Sequence, residues 1–304
     1  MRYKVFPEVV FSTNIEGSNL VNRGKVRDIY EVGDYLLIVA SDRISAFDVV
    51  MKEGIPGKGI VLTQISKFWF NHVKGIVNTH FVTDVVSEFP DPFNKYENTL
   101  KGRAMLVKKS KPLPVECIVR GYLAGSGWKE YRRQGTLHKQ KLPPGLLESS
   151  QLPTPLFTPS TKAEEGHDEN ITFDEMTKLV DKALAEKVRN LSINIYKRGV
   201  EIASERDIII ADTKFEFGQM DDEILLIDEV LTPDSSRFWP KKNYTSGKSQ
   251  PSLDKQYVRD YLETLDWDKT PPPPTLPENV VKNTSLKYQE ILKILTGKTL
   301  EDFI

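Results

Sequence analysis

The pattern of apolar and polar positions is most informative between residues 208 and 237. Two mainly apolar runs, residues 208–211 and 223–227, predict two strands, and the polar residues 219–222 predict the turn of a hairpin. Charged and apolar residues alternate along residues 212–218, which continue the first strand. Charged side chains inside segments that otherwise have the pattern of buried strands indicate a reaction centre.

The charged face of this hairpin is a candidate metal site. Because side chains alternate along a strand, Asp212, Lys214 and Glu216 are predicted to share one face. A turn centred near Asp222 puts Glu216 opposite Asp228, with Cβ atoms about 5 Å apart. Two carboxylates that close repel each other unless a cation lies between them, and Mg²⁺ takes one or two protein carboxylates with water and phosphate oxygens. A solvent-exposed charged face, with Lys214 bridging its neighbours, is an equally good interpretation of this segment alone.

The N-terminal third has the pattern of a β-rich region with a basic turn. Residues 26–32 and 35–40 are predicted strands of a hairpin that turns at Gly33-Asp34. Residues 22–28, which lead into this hairpin, offer one glycine and three basic side chains, among them Gly24, Lys25 and Arg27. Glycine lets a backbone approach phosphates and basic groups neutralise them, but the spacing matches neither a P-loop nor a dinucleotide fingerprint. Both a phosphate contact and an ordinary surface turn therefore stay open.

Two lobes are expected from the chain length and from a break between two strands. Residues 105–109 and 115–119 are predicted strands, and the prolines between them indicate a crossing between lobes. With 304 residues the chain exceeds a usual single domain. We predict a β-rich N-terminal lobe over residues 1–112 and a larger α/β lobe over residues 113–304.

A glycine-rich turn is a candidate anion site. Residues 119–127 contain Arg120 and Ser126 and lead into a predicted helix at residues 128–134. A helix N-terminus presents free backbone N–H groups and the positive end of its dipole, and Arg120 completes a cradle for an anion. The alternative is a flexible loop in which Ser126 is only the N-cap of the helix.

Two polar segments are predicted loops that could carry substrate contacts. Residues 41–48 suit the rim of a cleft, although capping and turn chemistry use the same residue types. Residues 142–171 are rich in proline, serine, threonine and acid and are predicted to form one long loop. The candidate substrate contacts in the second segment are Lys162, His167 and Asp168, and the alternative is that they are ordinary polar residues on the surface.

The remaining patterns predict helices without chemistry. Thr172 and Glu175 form a capping-box pattern that opens a long helix to about Arg198. Its predicted core residues at helical spacing are Met176, Leu179, Val180, Ala183, Leu184 and Val188. In the tail, helices at residues 255–265 and 278–295 flank an extended proline connector. The tail is predicted to wrap the body and to contribute no functional group.

Composition and charge exclude several classes of protein. Lysine and arginine total 42 against 43 acidic residues, so the net charge of −1 gives no global attraction for nucleic acid or an anionic membrane. Cys117 is the only cysteine and lies in an apolar run, which argues for a core residue in a reducing compartment rather than a nucleophile. No signal peptide or membrane span is apparent, so the cytoplasm is the expected location. The oligomeric state stays open, with a monomer as one option.

Five motifs in this order resemble the SAICAR synthetase (phosphoribosylaminoimidazole-succinocarboxamide synthase) family. Each motif is weak alone, but their order and spacing agree from about Arg23 to Trp239. The motifs are Gly24-Lys25-Val26-Arg27-Asp28-Ile29-Tyr30, residues 41–48, Val119-Arg120-Gly121-Tyr122 with Gly125-Ser126, residues 212–218 and residues 228–237.

The resemblance implies an ATP-dependent ligase of purine biosynthesis. It implies that L-aspartate is joined to the imidazole carboxylate of the ribotide CAIR, giving SAICAR, ADP and phosphate, through an acyl phosphate as the most plausible intermediate. It also implies a kinase-like N-terminal lobe, a nucleotide cleft between the lobes, and C-terminal helices packed on the body. The substrates are small molecules, the cofactors are ATP and Mg²⁺, and neither nucleic acid nor membrane is a partner.

The resemblance also implies roles for individual residues. Those matched to ATP are Gly24, Lys25 and Arg27 along the phosphates and Met105, Val107 and Lys108 beside the adenine. Those matched to Mg²⁺ are Glu216 and Asp228, in agreement with the cross-strand argument, and those matched to the ribotide are Arg120, Ser126 and Arg237. Other active-site matches are Asp48, Lys162, Asp168, Asp212, Lys214 and Asp234, with Asp212 and Asp234 as candidate bases for the aspartate ammonium.

Two other classes share parts of this pattern. A kinase would have a similar β-rich lobe and paired metal carboxylates, but the kinase catalytic-loop and magnesium-loop signatures are absent from the sequence. A regulatory module that binds nucleotide without turnover would use the same residues as a ligase. Aspartate-dependent release of ADP distinguishes the three classes.

Overall fold

The computed structural model describes residues 5–162 and 168–304, and its sheets with packed helices confirm the mixed α/β class. The strands are β1 (Asn19–Arg23), β2 (Arg27–Val32), β3 (Tyr35–Ala40), β4 (Arg43–Ala46), β5 (Val49–Gly54), β6 (Asn78–Thr79), β7 (Phe81–Thr83), β8 (Ala104–Lys108), β9 (Lys111–Pro112), β10 (Val115–Tyr122), β11 (Thr136–Leu137), β12 (Gln140–Lys141), β13 (Gln151–Phe157), β14 (Ser160–Thr161), β15 (Ile208–Met220), β16 (Glu223–Ile227) and β17 (Ser236–Pro240). The α-helices are α1 (Lys58–His72), α2 (Glu97–Leu100), α3 (Gly125–Gln134), α4 (Phe173–Met176), α5 (Lys182–Ser204), α6 (Gln256–Leu262) and α7 (Glu278–Thr296).

The N-terminal sheet is antiparallel, in the order β1-β2-β3-β8-β7. Strands β2 and β3 form the predicted hairpin, and Gly33 has φ 54 in its turn, a backbone conformation that glycine adopts without strain. Alternate residues of β3 enter two different cores: Leu37 and Val39 pack on one side, and Ile38 packs with α1 on the other. The centre of the sheet, formed by β3 and β8, is therefore buried on both faces, as its continuous apolar runs indicate.

The second sheet has the long strand β15 at its centre, in the order β13-β10-β15-β16-β6. Strands β15 and β16 confirm the predicted hairpin. Phe215 and Phe217 lie in the core with Ile195 and Ile202 of α5, as the alternation predicts. Lys214 and Glu216 consequently face away from α5, toward the surface where the cleft lies.

One of the two links between the sheets is the single residue His80. It follows β6, which pairs with β16 of the second sheet, and precedes β7, which pairs with β8 of the first. A second link is β9, which pairs with β15. Because the first 112 residues thus contribute strands to both sheets, the boundary between residues 112 and 113 stays a prediction.

The prediction of one long loop over residues 142–171 is wrong in its middle. Strand β13 pairs with β10, and β14 pairs with another part of β10. Pro153 and Pro155 suggested a loop, but β13 is an edge strand, where a residue without an N–H group removes no ladder bond.

The prediction of one long helix from Thr172 is also only partly correct. The capping box of Thr172 and Glu175 is confirmed, but α4 ends after one turn. Asp181 then caps a new helix by accepting a 2.9 Å hydrogen bond from the Leu184 N–H, and α5 continues to Ser204. Because the chain leaves the helix between the two caps, Leu179 is 47% exposed, and Ala183 at the start of α5 is also exposed, so neither lies in the core as predicted.

The C-terminal helices α6 and α7 confirm the predicted pair. Helix α7 packs along α1, and the Ser285 hydroxyl donates a 2.8 Å hydrogen bond to the Pro56 carbonyl next to α1. Residues of α6 and α7 also cover the hairpin of β4 and β5. In the part of the chain that the structure describes, no helix combines the length and apolar character that a membrane crossing needs.

Candidate active site

A cleft of about 690 Å³ lies where the basic turn before β2 faces β10, β15 and β16. It is lined by most of the residues selected from the sequence, namely Gly24, Lys25, Arg27, Asp48, Arg120, Ser126, Lys162, Asp168, Asp212, Lys214, Glu216, Asp228, Asp234 and Arg237. His167 lies outside the described residues. Segments more than 200 residues apart in the chain therefore meet in one cavity.

The residues expected beside the adenine do not line this cleft. Met105 borders a narrow gap behind Arg27 and Asp228 that adjoins the cleft. Val107 is fully buried in the core, and Lys108 is exposed while its N–H donates to the His80 carbonyl. The nucleotide role of these three residues stays a prediction.

The predicted register of the metal hairpin is wrong by one residue. Glu216 is opposite Ile227, because the turn consists of only two residues, with Met220 paired to Glu223. Asp228 follows the end of β16 with φ 62, a left-handed conformation that aspartate tolerates better than most residues. This turn of the backbone brings the Asp228 carboxylate to the cleft beside Glu216, although the two are not cross-strand partners.

The two carboxylates are held together by basic side chains. Arg27 pairs with Asp228 and, at 2.8 Å, with Glu229, while Lys162 pairs with Glu216. Burial and the neighbouring Asp228 raise the pKa of Glu216. Burial acts the same way on Asp228, but Arg27 and Lys162 outweigh it and hold its pKa below the ordinary value.

The donor set fits magnesium better than a transition metal. Among residues 5–162 and 168–304, no group of three or more His, Cys, Asp or Glu side chains could hold a metal ion. Two hard oxygen donors facing a cleft are what Mg²⁺ uses when phosphate oxygens and water supply its remaining ligands. Glu216 and Asp228 therefore fit a metal that arrives with a nucleotide.

Lys214 pairs with a buried glutamate that the sequence interpretation missed. One carboxylate oxygen of Glu116 on β10 accepts a hydrogen bond from the Lys214 ammonium. The Ser160 hydroxyl donates a hydrogen bond of 3.2 Å to the other carboxylate oxygen of Glu116. Burial disfavours the charged form of Lys214 and lowers its pKa, but the negative charges of Glu116 and Glu216 outweigh burial, so the pKa of Lys214 is raised. Lys214 is therefore a fixed positive charge in the cleft rather than a proton acceptor.

A second polar group of the cleft is an aspartate between two arginines. Arg120 and Asp212 are cross-strand partners, joined at 3.2 Å, and Arg237 binds the same carboxylate oxygen of Asp212. Arg120 also donates to the Thr158 hydroxyl at 3.1 Å, and burial lowers the pKa of Arg120. Both guanidinium groups line the cleft, so they form a positive surface that Asp212 orients.

The start of α3 completes this positive surface. Its N-cap is Ala124, which corrects the alternative that Ser126 is the cap, and Ser126 lies in the first turn facing the cleft. Gly125 has φ 53, and a Cβ there would lie 2.2 Å from an Nη atom of Arg237. The glycine thus lets Arg237 pass directly over the helix N-terminus, which favours an anion at this place.

Asp234 is the centre of a buried network that reaches the C-terminal helix. It forms ion pairs with the Lys58 ammonium at 2.9 Å and the Lys255 ammonium at 3.8 Å, and it accepts a hydrogen bond from the Tyr288 hydroxyl at 2.6 Å. Burial raises the pKa of Tyr288, so its hydroxyl keeps the proton that it donates. Although burial opposes it, Lys255 and Lys58 hold the pKa of Asp234 well below the ordinary value, which makes Asp234 a poor base.

The expectation that the tail contributes no functional group to the site is wrong. Lys255 and Arg259, one helical turn apart, line the cleft. Burial lowers the pKa of Lys255 to about 8, with Asp234 opposing the effect and Arg259 reinforcing it. An i, i+4 pair of basic residues at the start of α6 was the available sequence signal.

Other selected residues have simpler surroundings. Lys25 pairs with Asp48 at 2.5 Å across the mouth of the cleft, and both side chains are about half exposed. Cys117 is fully buried, and burial raises its pKa to about 12, which confirms a core residue rather than a nucleophile. Burial lowers the pKa of His80 to about 4, so its ring is neutral at pH 7.

Comparisons with known proteins agree on one family. A family model described as SAICAR synthetase matches residues 20–274. The phosphoribosylaminoimidazole-succinocarboxamide synthase of Thermodesulfovibrio yellowstonii is 59% identical over 289 residues, 95% of this chain and 99% of that protein. The solved structure of SAICAR-synthase from Saccharomyces cerevisiae complexed with SAICAR has a TM-score of 0.85 and 45% identity, covering 95% of this chain and 99% of that one. A SAICAR synthetase (Type-2) in complex with ADP has a TM-score of 0.69 and 25% identity, covering 91% and 98%.

Proposed function

The chain belongs to the SAICAR synthetase family, and we propose that it carries out the family's ligation in the cleft described above. It is an ATP-dependent ligase of purine biosynthesis that joins L-aspartate to CAIR and gives SAICAR, ADP and phosphate. The observation that carries the assignment of the site is the convergence of a basic turn, a carboxylate pair and an arginine pair on one cavity.

We assign ATP to the end of the cleft that holds the carboxylate pair. Gly24, Lys25 and Arg27 belong to the turn that overhangs this end, and a relative binds ADP. Mg²⁺ would be held by Glu216 and Asp228 and would neutralise charge on the transferring phosphoryl group. Arg27 and Lys162 pair with these carboxylates in the structure. When Mg²⁺ takes over the carboxylates, we expect both basic side chains to contact the phosphates of ATP.

We assign the ribotide to the arginine end. Hydrogen-bond donors converge at this end from Arg120, Arg237 and the first turn of α3, which contains Ser126. A related SAICAR-synthase has been solved in complex with SAICAR. Arginine suits phosphate because its planar group donates two parallel hydrogen bonds. Asp212 pairs with both guanidinium groups through the same carboxylate oxygen and is proposed to orient them toward the ribotide.

The chemistry proposed for the cleft is activation of a carboxylate followed by attack of an amine. A carboxylate is a poor acyl donor, so the γ-phosphoryl group of ATP is transferred to the CAIR carboxylate to give an acyl phosphate. After its ammonium group has lost a proton to a base, the amine of aspartate attacks this carbonyl carbon. The C–N bond forms, the bond from this carbon to the phosphate oxygen breaks, and phosphate leaves as the amide nitrogen loses a second proton. Lys214 and Lys25 offer fixed positive charge for the phosphoryl transfer, which depends mainly on alignment and electrostatic stabilisation.

The remaining assignments follow from the same family membership. Asp48 and Asp168 line the cleft and are proposed to contact substrate or orient the basic residues near them. The proposed location is the cytoplasm, consistent with a single, buried cysteine.

The test is coupled ADP production by purified protein with Mg-ATP and CAIR, with and without L-aspartate. Aspartate-dependent ADP release, matched one to one by SAICAR, is the expected result. ATP binding without turnover would instead identify a regulatory module, and a phosphorylated product formed without aspartate would identify a kinase.

A further inference from the structure

Asp254 is a buried acid that joins strand β17 to helix α6. Its side chain belongs to a residue that is only 1% exposed. One carboxylate oxygen accepts a 2.8 Å hydrogen bond from the Phe238 N–H of β17, and the other accepts a 2.7 Å hydrogen bond from the N–H of Gln256, the first residue of α6. A single carboxylate is therefore bonded to two elements at the same end of the cleft.

These bonds belong to a short strap, residues 253–256, that runs beside β17. The Leu253 N–H donates to the Phe238 carbonyl at 2.9 Å, so both backbone polar groups of Phe238 are bonded to the strap. Farther along the strap, the Lys255 N–H donates to the Pro233 carbonyl at 3.0 Å. The strap is thus fastened at two separate points of the chain.

The strap is important for the cleft because it connects the elements that carry two of its arginines. Arg237 immediately precedes Phe238 on β17, and Arg259 lies three residues after Gln256 in α6, and both arginines line the cleft. Two guanidinium groups on one surface repel each other. The bonds from Asp254 to β17 and to α6 hold the two elements together against this repulsion.

Asp254 is mostly in its charged form at pH 7. Burial raises its pKa to about 6, while the hydrogen bonds from the two backbone N–H groups and the charges of Arg237 and Arg259 oppose the rise. A charged carboxylate accepts a stronger hydrogen bond from an N–H group than a neutral oxygen does. Both bonds of Asp254 are therefore of the stronger kind.

We propose that Asp254 is a positioning residue for the arginine end of the cleft: by bonding β17 and α6 at once, it keeps Arg237 and Arg259 in place for the ribotide. Asp254 does not touch the substrate and acts through these two arginines. The inference rests on the proposed ribotide role of the arginine end, and the experiment separates the two.

The experiment compares variants that keep or lose each of the two bonds. Asp254→Ser leaves one oxygen, and because serine is a good helix cap, this oxygen keeps the bond to the Gln256 N–H while the bond to the Phe238 N–H is lost. Asp254→Ala removes both bonds. Asp254→Asn keeps the shape and one acceptor oxygen, and it replaces Asp254→Ala if that variant does not fold.

Two further variants serve as comparisons. Asp181→Ala is the matched control for a lost helix cap, because the exposed Asp181 accepts a hydrogen bond from the Leu184 N–H at the start of α5 and does not line the cleft. Arg120→Ala is the comparison for the ribotide site itself, since Arg120 lines the arginine end.

The readouts are the Michaelis constants for CAIR and ATP, SAICAR binding by isothermal titration calorimetry, and urea unfolding. We expect Asp254→Ser to raise the Michaelis constant for CAIR and the dissociation constant for SAICAR about tenfold, as the loss of one hydrogen bond to a charged group does at about tenfold per 1.4 kcal/mol. Asp254→Ala should raise them at least as much. The Michaelis constant for ATP should stay within about twofold of the wild type. Asp181→Ala should lower the urea midpoint and leave the constants for CAIR and SAICAR unchanged.

Three results would overturn the inference. Wild-type constants for CAIR and SAICAR in Asp254→Ser, with a clear rise in Arg120→Ala, would reject the role of Asp254 and leave the ribotide site standing. Equal rises in the constants for CAIR and ATP, in proportion to the loss of stability in urea, would show that Asp254 only supports the fold. If Arg120→Ala itself binds SAICAR normally, the proposed ribotide site fails, and the inference falls with it.

Discussion

The two ends of the cleft use acidic residues in opposite ways. At one end Glu216 and Asp228 face each other, and basic side chains that also reach the cleft neutralise them. At the other end Asp212 is paired with two arginines, Arg120 and Arg237. Asp234 is paired with two lysines, Lys58 and Lys255. Within the described residues, Glu216 and Asp228 each have one paired cation, whereas Asp212 and Asp234 each have two. On the proposed assignment, the first arrangement allows a metal to replace the cations, and the second serves to orient them. On this assignment, the number of cationic neighbours, and not the residue type, is proposed to distinguish a metal ligand from a supporting residue.

The strongest test of this comparison is Asp228→Asn. Asparagine tolerates a left-handed backbone, so the fold should persist while the metal loses a charged ligand. We expect turnover in the coupled ADP assay to fall about a thousandfold, with little change in circular dichroism. Asp221→Asn is the matched control, because Asp221 has φ 51 in the turn of the same hairpin but does not line the cleft. Normal turnover of Asp228→Asn would remove Asp228 from the metal site.

The arginine end is tested by Arg120→Ala. Loss of this buried partner leaves Asp212 with Arg237 alone and removes a donor for the ribotide. The Michaelis constant for CAIR should rise at least about thirtyfold, since truncating one member of a buried charge pair costs about 2 kcal/mol or more. The constant for ATP should change little, and the exposed Arg198→Ala provides the control. Equal effects on both substrates would contradict the division of the cleft into two ends.

The supporting role proposed for Asp234 is tested by the substitution Tyr288→Phe. The change removes only the hydroxyl that donates to Asp234, so we expect about 1.5 kcal/mol lower stability in urea unfolding and a smaller loss of turnover. Tyr257→Phe is the control, because that hydroxyl accepts from Asn283 near the surface. A loss of turnover as large as that of Asp228→Asn would mean that Asp234 acts in the chemistry itself.

The smallest effect is expected for Lys255→Met. Burial lowers the pKa of Lys255 to about 8, so the folded protein binds this proton more weakly than the unfolded chain does. Wild-type stability should therefore rise with pH between about 8 and about 10.4, the range between the folded and the ordinary lysine values. The variant should lack this rise. Identical pH profiles of unfolding for Lys255→Met and the exposed Lys282→Met would contradict the shift.

Local signals were enough for the strands and for much of the site. The hairpin at Gly33 and the alternation along β15 depend on neighbouring residues, and both predictions are confirmed. The register of Glu216 was wrong because a two-residue turn depends on a left-handed Asp221, which the sequence pattern does not specify. The same limit explains the break before α5, where a second cap interrupts an otherwise helical pattern.

Contacts between distant segments could not be predicted. Lys58 and Tyr288 meet at Asp234 although they lie 230 positions apart, and neither belongs to a polar cluster in the sequence. The role of Glu116 could not be predicted for another reason. A single acidic residue in an apolar strand does not indicate which cation it pairs with, here Lys214. Such residues become visible only when the packing of the sheets and helices is known.

The bond from Tyr288 to Asp234 has a consequence for synthesis of the protein. Both sheets and the acids of the cleft are complete in the chain before α7 begins, but Asp234 gains its tyrosine partner only from that last long helix. A polypeptide still on the ribosome, or one released early, therefore has an active site with one support missing. Full activity is in this way tied to translation through α7, whose buried residues Tyr288, Ile291, Leu292 and Leu295 also belong to the main hydrophobic core.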